Sequence, residues 1–164
     1  MDALHPPEST PPRRGMALLL PDHHRRLEAR SRALLACAQG DDPRELIASW
    51  RELETELLDH MAAEEEIILA SYAKHAPEDA QRIAADHARL REIASALGLE
   101  VELHAIRIAR LAKLVDALHT HGIHEDGTMY PWAQANLGEV AQHALVARLA
   151  RWLGVATTLQ HTTP

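Results

Sequence analysis

The feature that most constrains this chain is a set of apolar lines, spaced at three and four residues, each of which contains one histidine. Leu20, Leu27 and Leu34 share a line with His24 and Ser31. Leu46, Trp50, Leu53 and Leu57 run on into His60, Glu64, Ile67 and Ile68. Ile83, Leu90, Ala94 and Leu97 carry His87, and Leu111, Leu114 and Leu118 carry His121 and Glu125. Such spacing marks helices with one buried face. The fold therefore has to bury four imidazoles and two carboxylates together with its leucines.

Start and stop signals set the boundaries of these helices. Residues 1–15 contain four prolines and Gly15 without periodicity, and read as a flexible tail. Helix one is expected from Pro21 and Asp22 to about Ala38, ended by Gly40. Asp42 before Pro43 is an N-cap followed by a proline at the first helical position, and helix two should continue to about Lys74. Pro77 with Glu78 and Asp79 opens helix three, which Gly98 closes. Helix four is expected over roughly residues 100–126, ending near Gly127 with Pro131 just beyond. A shorter segment from about Glu139 to Leu153 makes a fifth helix, with Val140, Leu145, Leu149 and Trp152 at helical spacing to cover one end of the bundle. No strand or hairpin pattern occurs. The chain thus reads as one all-α domain over residues 16–158, an up-down-up-down four-helix bundle with a short fifth C-terminal helix, then a tail at 159–164.

Charge and cysteine content exclude several partners. With 17 basic and 24 acidic residues the formal charge is −7, which argues against nucleic acid and anionic lipid, since both reward a basic face. No apolar run approaches the roughly 20 residues of a membrane span; Ala17 to Leu20 is a single turn. No small-residue cleavage site follows Arg13 and Arg14, so no secretion signal is read. Cys37 is the sole cysteine, which fits a reducing cytoplasm. It is most simply a small core residue.

Burying an ionised carboxylate without a partner costs so much that the group neutralises or avoids the core. A cation removes that cost, and neutral imidazole with carboxylate is a donor set that suits iron. Each position taken singly also has a plainer reading. A lone histidine on an apolar face is commonly a hydrogen-bonded core residue, and Glu64 lies in the run Glu64, Glu65, Glu66, which can be a solvated face. The coincidence on four helices is what favours a metal site. His23 falls with Arg26 and Arg30 and is expected to face water. His5 and His161 lie in the tails, His75 in a loop, His104 off the helix-four line and His143 in the fifth helix, all read as structural or surface residues. His119 and His124 flank the site and read as solvent-exposed, with a supporting role beside the ligands as the alternative.

Four short segments carry these groups in order along the chain. They are Asp22-His23-His24-Arg25-Arg26-Leu27, His60-Met61-Ala62-Ala63-Glu64-Glu65, Asp86-His87-Ala88-Arg89-Leu90 and His121-Gly122-Ile123-His124-Glu125-Asp126, with Met129-Tyr130-Pro131 after the last. In order, helix placement and spacing the sequence resembles the hemerythrin-like (HHE cation-binding) family, over about residues 16–135. The resemblance implies two irons, oxo- or hydroxo-bridged, with His24, His60, His87 and His121 as terminal ligands and Glu64 as a bridging one. Family members take their last carboxylate either four or five residues after the helix-four histidine, and here both Glu125 and Asp126 are acidic. Periodicity favours Glu125, while Asp126 serves if the helix loosens before Gly127. Many oxygen-carrying members have a further histidine one turn before the helix-three ligand, where this chain has Ile83. That departure should loosen the metal and weaken a stable, reversible oxygen adduct.

The function implied is that of a protein that binds or senses a small diatomic ligand, oxygen or nitric oxide, at a four-histidine, two-carboxylate di-iron site. The alternative is a di-iron enzyme acting on peroxide, oxygen or nitric oxide, or an iron donor for iron–sulfur repair. A metal-free interaction module is the third reading. The expected context is cytoplasmic, as monomer or homodimer, with no nucleic-acid or membrane partner and with a redox partner left open. Zinc and manganese remain compatible with the same donors.

Overall fold

Asp42 does what its place before Pro43 predicts. Its carboxylate accepts the backbone N–H of Arg44 at 2.9 Å and of Glu45 at 3.4 Å, capping helix α2, Pro43–Glu64. The computed structural model describes residues 16–40 and 42–153, so the tails expected at 1–15 and 159–164 lie outside the described residues. Among those described, every regular element is helical, and no helix is long and apolar enough to cross a membrane.

Helix α1 spans Met16–Cys37 and so starts earlier than its signals suggest, with Pro21 inside it. The reason lies in the turn before the proline, where Leu19 and Leu20 are buried. Two buried leucines gain roughly 1.5–3 kcal/mol each, against about 3 kcal/mol for an interior proline. Burial wins, and the helix runs through. Cys37 at its end is half-buried rather than a core residue.

Beyond Glu64 the second helix continues through a wider π-helical turn, Glu65–Leu69, into Ala70–Tyr72. Helix α3 spans Pro77–Glu102. Gly98 therefore does not close it. An added Cβ there would meet Trp50 Nε1 and a Glu54 carboxylate oxygen at ordinary contact distance, 3.4 Å. The chain leaves α3 instead at His104, whose φ of 52° is left-handed and incompatible with helix. Residues 100–102 consequently belong to α3, and α4 begins later than expected, at Ile108–Gly127. Buried Glu100 holds this turn by accepting the Arg107 backbone N–H at 3.0 Å and its Nε–H at 2.7 Å.

Two short helices complete the described residues, α5 at Met129–Asn136 and α6 at Glu139–Ala150. The sequence signals miss α5 because Pro131 reads as a stop. It lies in the first turn, where backbone N–H groups have no partner in the helix and a proline loses nothing. In α6, Leu145 and Leu149 are buried as their spacing predicts, but Val140 is 85 % exposed. Trp152, just past α6, donates its indole N–H to Asp59 at 2.7 Å, tying this end of the chain to α2.

Helices α1 and α3 each pack against both α2 and α4, while α5 and α6 lie against α1. The apolar interior divides into two clusters. One gathers Leu20, Ile68, Ile83, Met129, Leu145 and Leu149; the other gathers Leu27, Leu57, Leu90, Leu97, Leu114 and Leu118. Along the chain each predicted histidine stands between residues of the two clusters. His24 follows Leu20 and precedes Leu27, and His87 follows Ile83 and precedes Leu90. His60 and His121 follow Leu57 and Leu118, with Ile68 and Met129 beyond them. A polar layer thus crosses the interior between two apolar ones. Shortening Leu53, fully buried in the second cluster, to alanine should cost about 2–5 kcal/mol in chemical denaturation. Val140→Ala should stay within about 0.5 kcal/mol. Equal effects would contradict this division of core and surface.

Candidate metal centre

The polar layer is built from one histidine of each long helix and two glutamates. His60 and Glu64 are one turn apart on α2, as are His121 and Glu125 on α4, so each pair projects to the same side. His24 comes from α1 and His87 from α3. All six side chains are buried, and His60, Glu64, His87 and Glu125 have no exposed surface at all. Their donor atoms form two groups. His24, His60, His121 and Glu125 make one, and Glu64, His87, His121 and Glu125 the other, with the ligand atoms of each group within 4.8 Å of one another. His121 and Glu125 belong to both. All six residues that periodicity selected are brought together. The seventh candidate, Asp126, is not in either group; it is part-exposed, with Oδ1 3.1 Å from Nδ1 of His24. Glu125 is the helix-four carboxylate of the cluster.

His24 and His60 meet through their Nε2 atoms at 3.0 Å, but most of the other donors face one another without pairing. Nε2 of His121 lies 3.1 Å from Glu125, and Nε2 of His87 lies 3.3 Å from Glu64 and 3.4 Å from the second Glu125 oxygen. Yet His121 Nε2, His87 Nε2, Glu64 Oε2 and both Glu125 oxygens make no aligned hydrogen bond, although all are buried. Buried polar atoms are nearly always hydrogen-bonded. Five that converge without bonding are arranged as donors around a common cation, and imidazole nitrogen with carboxylate oxygen fits iron, manganese or zinc.

Protons balance the charges when no metal does. Burial would lower the pKa of His24, but Asp126 and Glu125 outweigh it and raise the value to about 10. His87 reaches about 10 in the same way, through Glu125 and Glu64. Burial, then repulsion from Glu125, lifts Glu64 to about 7. Burial leaves His121 at about 4 and His60 well below its ordinary value, both neutral. Three imidazoles around Glu125 hold it well below the usual carboxylate range despite burial. Near neutral pH the cluster thus carries two imidazoliums against one or two carboxylates.

A second layer of residues, which the apolar lines do not reveal, holds the first. Glu65 accepts from His87 Nδ1 at 2.9 Å and is itself gripped by both terminal nitrogens of Arg91 at 2.7 and 2.8 Å. The i, i+4 pair His87 and Arg91 is the sequence signal that could have found it. Tyr130 is buried with its hydroxyl 3.0 Å from His24 Nε2, and donates to Glu64. Burial together with Glu64 and Glu125 keeps that phenol protonated, its pKa well above 10. Gly122 lets His24 approach, since an added Cβ would stand 3.2 Å from two atoms of its ring. His23 requires a correction. It does not face water but is completely buried, its Nδ1 2.9 Å from Nδ1 of His60. The arginines that shared its helical face pair with Glu56, which is also fully buried and stands 3.2 Å from Nε2 of His23. His119 is exposed as expected. His124 is largely buried against Asp79, at 2.8 Å, and belongs to neither donor group.

Comparison with known families decides the class of the site: residues 18–133 match the hemerythrin family, described as the hemerythrin HHE cation binding domain. The chain belongs to this family. The match covers all six clustered residues and every helix that contributes one. Neither a curated protein nor a solved structure matches the chain. Hemerythrin HHE domains bind metal ions, and this one has the histidine and glutamate groups that could hold them.

The proton balance predicts how the metal-free HHE domain responds to pH. His24 and His87 have folded-state pKa values raised from 6.5 to about 10, so their contribution is complete below about 6.5 and lost as pH rises toward 10. Glu64, raised from 4.5 to about 7, loses its contribution over a lower range but in the same direction. His121, lowered to about 4, acts oppositely and weakens the fold as pH falls from 6.5 to about 4. Thermal unfolding in the presence of chelator should show greatest stability near pH 6–7, between these limits, with losses on both sides. Stability still climbing at pH 9 would contradict the assignment.

Proposed function

We propose that the chain is an up-down-up-down four-helix hemerythrin-type bundle that holds two irons and binds or senses oxygen or nitric oxide. The observation that carries this reading is the pair of donor groups sharing His121 and Glu125. One group has three imidazoles, from His24, His60 and His121, and the other draws on His87, Glu64 and the two shared residues. The alternation in which α1 and α3 pass from the first apolar cluster to the second, while α2 with its π-helical turn and α4 followed by α5 lead back, supports the bundle topology.

Ferrous iron at such a site supplies an electron and an open coordination position to a diatomic ligand. The residues of the chain do the rest. Glu64 and Glu125, one from each of two helices, would hold both ions at fixed separation, and the imidazoles would hold each from one side. The His87 side has fewer donors of its own, and buried apolar Ile83 stands one turn before it. That is the side on which a ligand would enter. The core around the cluster is leucine, isoleucine, alanine and methionine, which excludes water and favours a small uncharged ligand.

One observation favours a reactive or sensory role over simple storage. Tyr130 places a protonated hydroxyl against His24 and Glu64, so a proton donor stands at the cluster itself. A reactive site of this kind implies an electron donor that returns the iron to the ferrous state. Cytoplasmic placement is part of the same proposal.

Anaerobic loading with ferrous iron should give about two irons per chain. His60→Ala should lose most of them, because His60 is a donor with no exposed surface to admit a substitute water. Since metal must displace the protons on His24 and His87, affinity should strengthen as pH rises from 6.5 toward 10. Failure of the wild-type protein to retain iron, zinc or manganese under these conditions would overturn the proposal.

A further inference from the structure

His23 and Glu56 are fully buried, polar and outside both donor groups. Burying them needs a reason, and their neighbours supply one. Glu56 is held by Arg26 Nε at 2.7 Å and Arg30 Nε at 3.1 Å, both part-exposed. Burial opposes ionisation, but His23 and the Arg26 guanidinium outweigh it and keep its carboxyl below the usual range. An ionised carboxylate accepts hydrogen bonds and cannot donate them. Oε1 of Glu56 lies 3.2 Å from Nε2 of His23, an oblique contact rather than an aligned hydrogen bond. Even so, a carboxylate at that distance favours a protonated nitrogen over a lone pair. When the ring proton of His23 sits on Nε2, facing Glu56, its lone pair is on Nδ1. That nitrogen is 2.9 Å from Nδ1 of His60, so His60 must donate, and carries its own proton on Nδ1. The remaining lone pair of His60 is then on Nε2, which lies 3.0 Å from His24 Nε2 and 3.4 Å from Glu64 inside the cluster.

We propose that His23 is a positioning residue: with Glu56 behind it, it fixes His60 in the tautomer whose Nε2 lone pair points at the metal cluster. A metal-bound histidine generally has its other ring nitrogen engaged in this way, and loss of the partner costs about 10–100-fold in metal affinity. The chain uses an imidazole relayed to a carboxylate where His24 and His87 use Asp126 and Glu65 directly. The benefit to metal affinity rests on the proposed function; the tautomer does not, and can be read without metal.

The test uses the full chain with ¹⁵N-labelled histidine. In metal-free wild-type protein, two-bond ring correlations should report His60 with its proton on Nδ1. His23→Asn, whose side-chain oxygen can stand where Nδ1 stands, should keep that tautomer and iron affinity within about threefold of wild type, well inside the range set by loss of such a partner. His23→Leu offers no acceptor and should shift His60 toward the Nε2–H form and weaken iron about 10–100-fold. Where His23→Leu unfolds, Glu56→Gln gives the same reading, because a neutral amide can donate and lets His23 reverse. A wild-type His60 protonated on Nε2, or an unchanged tautomer in both His23→Leu and Glu56→Gln, would overturn the proposal. Equal iron affinity in His23→Asn and His23→Leu would overturn it as well. Absence of metal binding in wild type with the tautomer as described would instead count against the proposed function alone.

Discussion

The structure depends on making a layer of ionisable groups tolerable inside a bundle core. Two fully buried glutamates would each cost several kcal/mol if left charged and alone. The chain answers twice over. Without metal, His24 and His87 keep protons to about pH 10 and Glu64 shares one near neutrality, so the layer nearly cancels its own charge. With metal, the cations replace those protons. The same six side chains serve both states, which allows the bundle to fold before it is loaded. The cost of the first answer is incomplete hydrogen bonding, visible in the unpaired oxygens of Glu64 and Glu125.

Apolar residues above and below make this possible by keeping water away. Leu20, Ile68, Ile83 and Met129 close one side, and Leu27, Leu57, Leu90 and Leu118 the other. A low-dielectric setting strengthens every contact within the layer and penalises every unmet one. Outer residues then meet what they can. Asp126 serves His24, Glu65 serves His87, and His23 serves His60, while His121 meets Glu125 within the layer, its Nε2 3.1 Å from the carboxylate.

Most of the inner layer was legible in the sequence, because a histidine on a leucine line has to point where the leucines point. His24, His60, His87 and His121 obey that rule, and so does the preference for Glu125 over Asp126. The outer layer was not legible, since it depends on which helices are neighbours. His23 lies on a face that looks hydrophilic along α1, yet it packs against Glu56 and His60 of α2, and Arg26 and Arg30 reach over to that glutamate. Long arginine side chains can bury what lies beneath them while keeping their charge near water, and helical periodicity does not register this. Helix ends were misread for a similar reason. Pro21 carries a local signal to start and Gly98 one to stop, and tertiary burial of Leu19 and Leu20 before the first and of Val101 beyond the second overrides them.

The polar contacts around the site also have a consequence for the fold as a whole, because each joins a different pair of helices. His23 and His60 join α1 to α2, and Glu65 and His87 join the end of α2 to α3. Asp79 and His124 join α3 to α4, and His24 and Asp126 close the ring from α4 to α1. Leucine against leucine tolerates sliding by a turn, since apolar contacts are not directional. A hydrogen bond of about 3 Å does not. Slipping any one helix by a turn would break two of these four links and strand a buried imidazole or carboxylate, at about 1–3 kcal/mol or more for each group left unmet. The groups that are expensive to bury thus set the register of the helices that bury them. In a chain whose apolar lines are nearly pure leucine and alanine, register is what brings four histidines from four helices to one level.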